Sequence, residues 1–251
     1  MNELVSIITP SYNSAKFIRE TIDSVLAQTY PYWEMIIVDD CSTDGSVEII
    51  GKYIIKDNRI KLIKLSNNSG PAIARNTAIK EAQGRYIAFL DSDDLWYPDK
   101  LEKQIEYMNL TECVLSYSYY DVIDENNNRT NQIYKPKEKL SYNELLKSNS
   151  IGCLTSIYDT KIVGKEYMPI IKKRQDYGLW LKLLKKIDYA YCIKEVLATY
   201  RIRKGSISSN KLELIKYNWK LFREHEKLSI IKSFYYLNWN IIIKSIKIIK
   251  R

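Results

Sequence analysis

The sequence predicts an α/β fold, with a mostly parallel sheet flanked by helices and a C-terminal amphipathic helical extension. Three observations carry that expectation. Through the first 110 residues, short apolar runs alternate with segments of helical periodicity. The runs are apolar almost throughout, as strands covered on both faces must be, instead of alternating with polar residues. The positive charge of the chain gathers in residues 211–251 beside a long run of isoleucines.

Leu4–Thr9, Met35–Val38, Ile60–Leu65 and Tyr86–Leu90 read as strands. Between the first two, Phe17, Ile18, Ile22, Val25 and Leu26 share one helical face. Val47, Ile50 and Ile54 form a second stripe. A third helix is punctuated by Gly70-Pro71 at its start and Gly84 beyond its end. Repeated β-α-β units with short links imply right-handed crossovers and hence a Rossmann-like sheet. After residue 110 the pattern changes. Cys113–Tyr119 reads as a strand, Glu125–Asn128 as a turn and Ile133–Tyr134 as a return strand. Helices are expected around Ser141–Leu146 and Tyr177–Lys186, and a last strand over Val196–Ile202. One domain is expected over 1–210, in halves of 1–110 and 111–210. Residues 211–251 form the tail.

With 251 residues, 45% apolar and 27% charged, the chain can form one sizeable core. No signal peptide is visible at the N-terminus, and no run of about 18 apolar residues suggests a membrane span. Four dispersed cysteines with no C-x-x-C spacing point to reduced thiols in a cytoplasmic protein, not to a zinc site or disulfides. The net charge of +9 is concentrated: residues 211–251 hold ten Lys/Arg against three Asp/Glu, leaving +2 for the rest. A whole-chain argument for nucleic-acid binding therefore loses its force, and no nucleic-acid partner is expected.

In a parallel α/β sheet, ligands bind outside the carboxyl ends of the strands. Pro10-Ser11-Tyr12-Asn13 follows the first strand, Asp39-Asp40-Cys41-Ser42 the second and Asp91-Ser92-Asp93-Asp94 the fourth. Two acidic clusters thus reach one edge. No G-x-G-x-x-G follows the first strand and no G-x-x-x-x-G-K-[ST] occurs, which disfavours a dinucleotide or P-loop cradle. Carboxylates repel bare pyrophosphate but bind Mg²⁺ or Mn²⁺, which can then neutralise phosphates. An aromatic ring at Tyr12 suits base stacking. A nucleoside diphosphate with a bridging metal follows.

The segments 5–13, 37–45 and 84–94, with Gly70–Asn76 and Trp96–Leu101, resemble family 2 glycosyltransferases of the A-type fold (GT-A), as found in bacterial surface-polysaccharide synthesis. The resemblance is specific over 4–105 and weaker to about 205. It implies a uracil pocket of Pro10, Tyr12 and Asp40 with Asp39 beside them, and Arg75 near the nucleotide. Asp91 would face the ribose and metal, and Asp93 would ligate the metal. Lys173–Leu181 resembles the acceptor-side motif, in which Asp176 matches the catalytic base. An Asp before an apolar helical run is also a favoured N-cap, so that reading stands beside the catalytic one. The chain departs from the family at Gln175, where many relatives carry Glu, and at Arg203, near which many carry a metal-binding His. Guanidinium has no acceptor and cannot ligate a metal, but its planar fork suits a diphosphate. The single histidine, His225, lies in the tail.

The implied reaction is inverting transfer from a nucleoside-diphosphate sugar, with UDP the implied nucleotide, to an acceptor hydroxyl of a lipid-linked saccharide. A processive synthase is disfavoured because no Q-x-x-R-W motif occurs. A sugar-nucleotide pyrophosphorylase would need a glycine-rich basic loop that Pro10–Ala15 does not offer. A tyrosine-rich, basic nucleic-acid-binding protein is the non-enzymatic rival. In the tail, about 100° per residue places Lys232, Lys244, Lys247, Lys250 and Arg251 on one arc. Ile230, Ile231, Phe234, Leu237, Ile241, Ile242, Ile246, Ile248 and Ile249 fall opposite. Such a helix is expected to lie on an anionic membrane surface, peripheral to its cytoplasmic side. The competing expectation is that its apolar side packs on the domain.

Overall fold

The computed structural model describes residues 3–203 and 211–249, with side chains over 3–203 and 213–243. One ten-stranded sheet organises the chain. Strands β1 (Val5–Ser11), β2 (Trp33–Asp39), β3 (Ile60–Lys64) and β4 (Tyr86–Phe89) are mutually parallel in the spatial order β3-β2-β1-β4. Helices α1 (Ile18–Leu26), α2 (Ser46–Ile54) and α3 (Pro71–Glu81) make the crossovers. Side chains alternate between two cores. Ile8, Ile36 and Val38 pack under Ala74, Ala78 and Ile79 of α3, while Ile7, Met35 and Ile37 pack under Ile18, Ile22 and Ile50 of α1 and α2. Both faces are therefore covered, which is why these strands carry so few polar residues.

Gly84 is needed for close approach. A Cβ built there would sit 2.6 Å from both the Leu4 carbonyl oxygen and the Ser6 nitrogen at the start of β1. Since both obstacles are backbone, Gly84→Ala is expected to cost about 2 kcal/mol or more, the scale of core overpacking. Urea denaturation checks this: an unchanged midpoint would show that β1 yields freely.

The second half is mixed. β5 (Leu95–Trp96) and α4 (Lys100–Thr111) precede β6 (Leu115–Ile123), β7 (Arg129–Tyr134) and β8 (Lys139–Leu140). Then come α5 (Tyr142–Lys147), β9 (Ile157–Asp159), α6 (Thr160–Val163), α7 (Gln175–Leu184) and β10 (Ala190–Arg201). The sheet continues past β4 as β9-β6-β10-β5. β9 is antiparallel to both β4 and β6, and β10 is parallel to β6. The carboxyl ends of β1, β2, β4, β6 and β10 consequently share one edge. β10 starts well before Val196, since register shifts between Ile193 and Ala198 leave Lys194 and Glu195 exposed and interrupt its apolar pattern. The pairs and triplets of β5, β8 and β9 are too short to produce any pattern.

Two further helices follow, α8 (Lys211–Lys220) and α9 (Ile230–Ile249), joined through a wide π turn at Leu221–His225. Leu221 and Phe222 are fully buried, with the Phe222 ring edge-on to Tyr177 at 6.1 Å, so this part of the tail completes the hydrophobic core. α9 docks through its polar side. Asn240 donates to the Leu146 carbonyl at 2.8 Å, the Tyr236 hydroxyl meets Asn143 at 3.2 Å, and Ser233 is buried. Ile230, Ile231, Phe234, Tyr235, Ile241 and Ile242 remain exposed. The apolar side of these residues therefore does not pack on the domain, although Leu237 is half-buried. Lys232 is exposed, while the side chains of Lys244, Ile246, Lys247, Ile248, Ile249, Lys250 and Arg251 lie outside the described residues. No described helix is long and apolar enough to cross a membrane.

Candidate active site

The turn after β4 concentrates negative charge that the surroundings balance residue by residue. Arg75 of α3 ion-pairs with Asp91 at 2.5 Å, and Arg203 with Asp93 at 2.6 Å. Arg75 is a buried side chain of a helix packed on the sheet, not a surface arginine. Asp94, also buried, accepts the Arg201 backbone N–H at 2.9 Å. Burial pushes the Asp93 carboxyl above the usual carboxylate range, opposed by Arg203 and reinforced by Asp91. Burial raises Asp94 further, with Asp93 and Asp91 adding to the effect.

Arg201 holds this turn in shape. Its side chain is 1% exposed, and Nε donates to the Asp93 carbonyl at 2.7 Å. The remaining guanidinium nitrogens reach Glu20 of α1 at 2.7 Å and Asn127 of the β6–β7 hairpin. One buried cation thus ties three elements to the acidic turn. No sequence pattern marks Arg201, because its partners Glu20 and Asn127 lie far away along the chain.

At the ends of β1 and β2, Tyr12 is half exposed, as a stacking ring must be. Asp39 accepts from the Ser42 backbone at 2.9 Å and its hydroxyl at 2.5 Å. Asp40 accepts the backbone N–H groups of Ser69 at 2.7 Å and Gly70 at 2.8 Å. It therefore fixes the start of α3, which projects Pro71 and Arg75 into the cleft.

Across the cleft, Asp176 occupies the first turn of α7. It is not the N-cap: that position belongs to Arg174, and no side chain caps the helix. Asn149 donates to Asp176 at 3.4 Å. Gln175 is buried and donates to the Lys172 carbonyl at 2.9 Å, so its amide is committed to the preceding loop.

A single open cleft of about 340 Å³ brings together Arg75, Asp91, Asp93, Arg203 and Asp176. Pro10, Tyr12, Asp39 and Asp40 do not line it; they sit at the adjoining strand ends. His225 is exposed in the π turn and also lies outside the cleft. Three tyrosines that sequence reading did not single out complete the lining. Tyr120 of β6 stacks on Tyr134 of β7 at 4.9 Å and meets Tyr200 of β10 edge-on at 6.2 Å. Gly152 admits the Tyr120 ring, because a Cβ there would approach it to 3.0 Å. Their only sequence signal is spacing across three strands, which requires the pairing to be known.

Among the described residues no cluster of three or more His, Cys, Asp or Glu forms. Asp91 and Asp93 alone still suit Mg²⁺ or Mn²⁺, which are commonly held by one or two carboxylates plus substrate phosphates. An acidic pair, basic side chains and a facing carboxylate at the carboxyl edge of an α/β sheet define a group-transfer enzyme for phosphorylated donors. The chain belongs to glycosyl transferase family 2, which residues 6–163 match, and it is a glycosyltransferase. It is 48% identical over 230 residues to a protein of Bacillus subtilis (strain 168) assigned, as TuaG, to the glycosyltransferases of teichuronic acid biosynthesis, covering 92% of this chain and 91% of that one. It is 40% identical over 241 residues to the Escherichia coli UDP-Glc:alpha-D-GlcNAc-diphosphoundecaprenol beta-1,3-glucosyltransferase WfgD, covering 95% and 93%. The fold matches S. aureus TarS 1-349 in complex with UDP-GlcNAc, at TM-score 0.72 and 24% identity over 94% of this chain and 70% of that one. It also matches the mannosyltransferase PcManGT from Pyrobaculum calidifontis in complex with GDP-Man and Mn²⁺, at TM-score 0.70 and 18% identity over 93% and 69%.

Proposed function

We propose that this glycosyltransferase moves a sugar, with inversion, from a UDP-sugar to a hydroxyl of a diphosphate-lipid-linked saccharide in surface-polysaccharide synthesis. The observation that carries the reading is the single cleft in which Asp176 faces the arginine-paired Asp91 and Asp93. The activity for which WfgD is named supports the choice of donor and acceptor. Pro10, Tyr12, Asp39 and Asp40 take the uracil end, and Arg75 and Arg203 bind the diphosphate through their planar forks. Asp93, with Asp91, holds Mg²⁺ or Mn²⁺, which when bound neutralises charge on the departing nucleoside diphosphate. Asp176 takes the acceptor proton as general base. The attacking oxygen then approaches the anomeric carbon opposite the leaving group. The test is UDP release from a panel of UDP-sugars with GlcNAc-diphospho-lipid and Mn²⁺. Turnover should require lipid acceptor, donor and metal together; release of pyrophosphate instead, with UTP and a sugar phosphate as substrates, would favour a pyrophosphorylase.

We also propose that α9 seats the enzyme on the cytoplasmic, anionic face of the membrane. Six apolar side chains, Ile230 to Ile242, project outward while the helix is held to the domain by its polar side. The tail adds a net +7, and each Lys or Arg near the surface contributes about 1 kcal/mol of attraction to anionic lipid. The double variant Ile230→Glu/Ile231→Glu changes two exposed side chains at the start of α9 and should leave the fold intact. In sedimentation, wild type should pellet with anionic vesicles and the variant should stay in the supernatant. Equal pelleting would remove α9 as the contact.

A further inference from the structure

The cations of the cleft are not balanced evenly. Arg75 has Asp91, Arg203 has Asp93, and Lys173 has Glu213 at 2.6 Å. Arg174 lines the same cleft, yet its side chain makes no hydrogen bond or ion pair among the described residues. Its Nε is sealed from solvent with no partner. Burial pushes the guanidinium below its ordinary range, opposed by the charges of Asp176 and Tyr177. An uncompensated, half-buried charge is costly, and so is its backbone: Arg174 adopts φ 72°, a left-handed conformation unfavourable for a long side chain. Nothing in α7 needs an arginine there, because Arg174 caps no helix N–H with its side chain. Strain and an orphaned donor gathered in one cleft residue point to a missing anion.

Its place says which anion. In the proposed function the donor diphosphate goes to Arg75 and Arg203, which pair with the carboxylates of the β4 turn. Arg174 stands two residues before Asp176, where the acceptor hydroxyl must lie. We infer that Arg174 recognises the phosphate on the anomeric carbon of the acceptor sugar, so that the enzyme selects a sugar carrying its own diphosphate. This rests on the glycosyl-transfer reading above and deepens it. A phosphate at C1 hangs from the same ring whose hydroxyl Asp176 deprotonates, so one residue pair clamps the two ends of one pyranose. The guanidinium would form two charge-assisted hydrogen bonds to the phosphate oxygens, which also fixes which ring hydroxyl meets the base. The specificity that follows is for the first sugar on the lipid, since in a longer chain the reacting ring bears no phosphate.

The test uses the full chain saturated with UDP and Mn²⁺, so that the donor phosphate positions are filled. Hexose 1-phosphates and N-acetylglucosamine 1-phosphate are titrated by calorimetry against their methyl glycosides. At least one 1-phosphate should bind about tenfold or more tightly than its glycoside, the scale of one charge-assisted hydrogen bond or more. Arg174→Gln should erase that preference, Arg174→Lys should keep part of it, and UDP affinity should be unchanged in both. The inference is overturned if no 1-phosphate outbinds its methyl glycoside in wild type, or if Arg174→Gln retains the preference. Should Arg174→Gln fail to fold, the wild-type comparison and Arg174→Lys still decide. Loss of UDP binding by wild type is a separate outcome that defeats the donor assignment instead.

Discussion

Asp176→Asn is expected to lower turnover by about 10² or more while leaving UDP affinity unchanged, the loss typical of removing a general base. Asparagine keeps the size and hydrogen bonding of the side chain but cannot accept the acceptor proton. The structure removes the main objection to this reading. An N-capping aspartate would couple any loss of activity to loss of α7, whereas Asp176 lies inside the first turn and caps nothing. Its neighbour Asn149 donates to it across the cleft, so the carboxylate is positioned without being neutralised by an ion pair. Fold stability should therefore change little, since about 1 kcal/mol or less is at stake in one long hydrogen bond. Steady-state kinetics with saturating acceptor, alongside UDP calorimetry, separates the two effects. Wild-type turnover in the asparagine variant would end the case for Asp176 as base.

The parts legible in the sequence are those where one residue type has one physical use. Continuous apolar runs located β1, β2 and β4 because both sheet faces are covered there, and Gly70-Pro71 marked the start of α3 because proline suits the first helical position. The acidic turn Asp91-Ser92-Asp93 was legible as a cluster at a strand end, whereas its pairing with Arg75 and Arg203 was not. Short strands were not legible. β5 and β9 hold two and three residues, and only their partners make them strands. The tail misleads in a different way. Its helical periodicity is real, but α9 docks with Ser233, Tyr236 and Asn240 and turns its isoleucines outward. Periodicity shows that two faces differ and not which one meets the protein. Arg201 was hidden because its role depends on contacts across long stretches of chain, and Arg174 because only the folded cleft shows that its side chain lacks a partner. Arg201 bridges Glu20, Asp93 and Asn127.

Asp93→Ala is expected to abolish turnover and to remove the effect of Mn²⁺ on UDP binding. Asp93 is the one carboxylate of the β4 turn whose backbone is clamped by Arg201 and whose side chain lies in the cleft against Arg203. Burial in that position disfavours its charged form, so the energy of the site falls when a second cation joins Arg203 beside it. Arg203 also limits how tightly metal alone can bind, because the guanidinium and a metal would compete for the same carboxylate. The donor diphosphate relieves that competition by offering oxygens to both. Metal and UDP should accordingly bind with positive coupling in wild type, UDP affinity rising by about tenfold or more on moving from EDTA to Mn²⁺, within the usual range for coupled sites. In Asp93→Ala the coupling should vanish while Arg203, freed of its partner, still attracts the diphosphate, so UDP alone should bind no more weakly than to wild type in EDTA. Calorimetry on both proteins in both buffers tests this. Equal UDP affinity with and without Mn²⁺ in wild type would mean that Asp93 serves the arginines and not a metal.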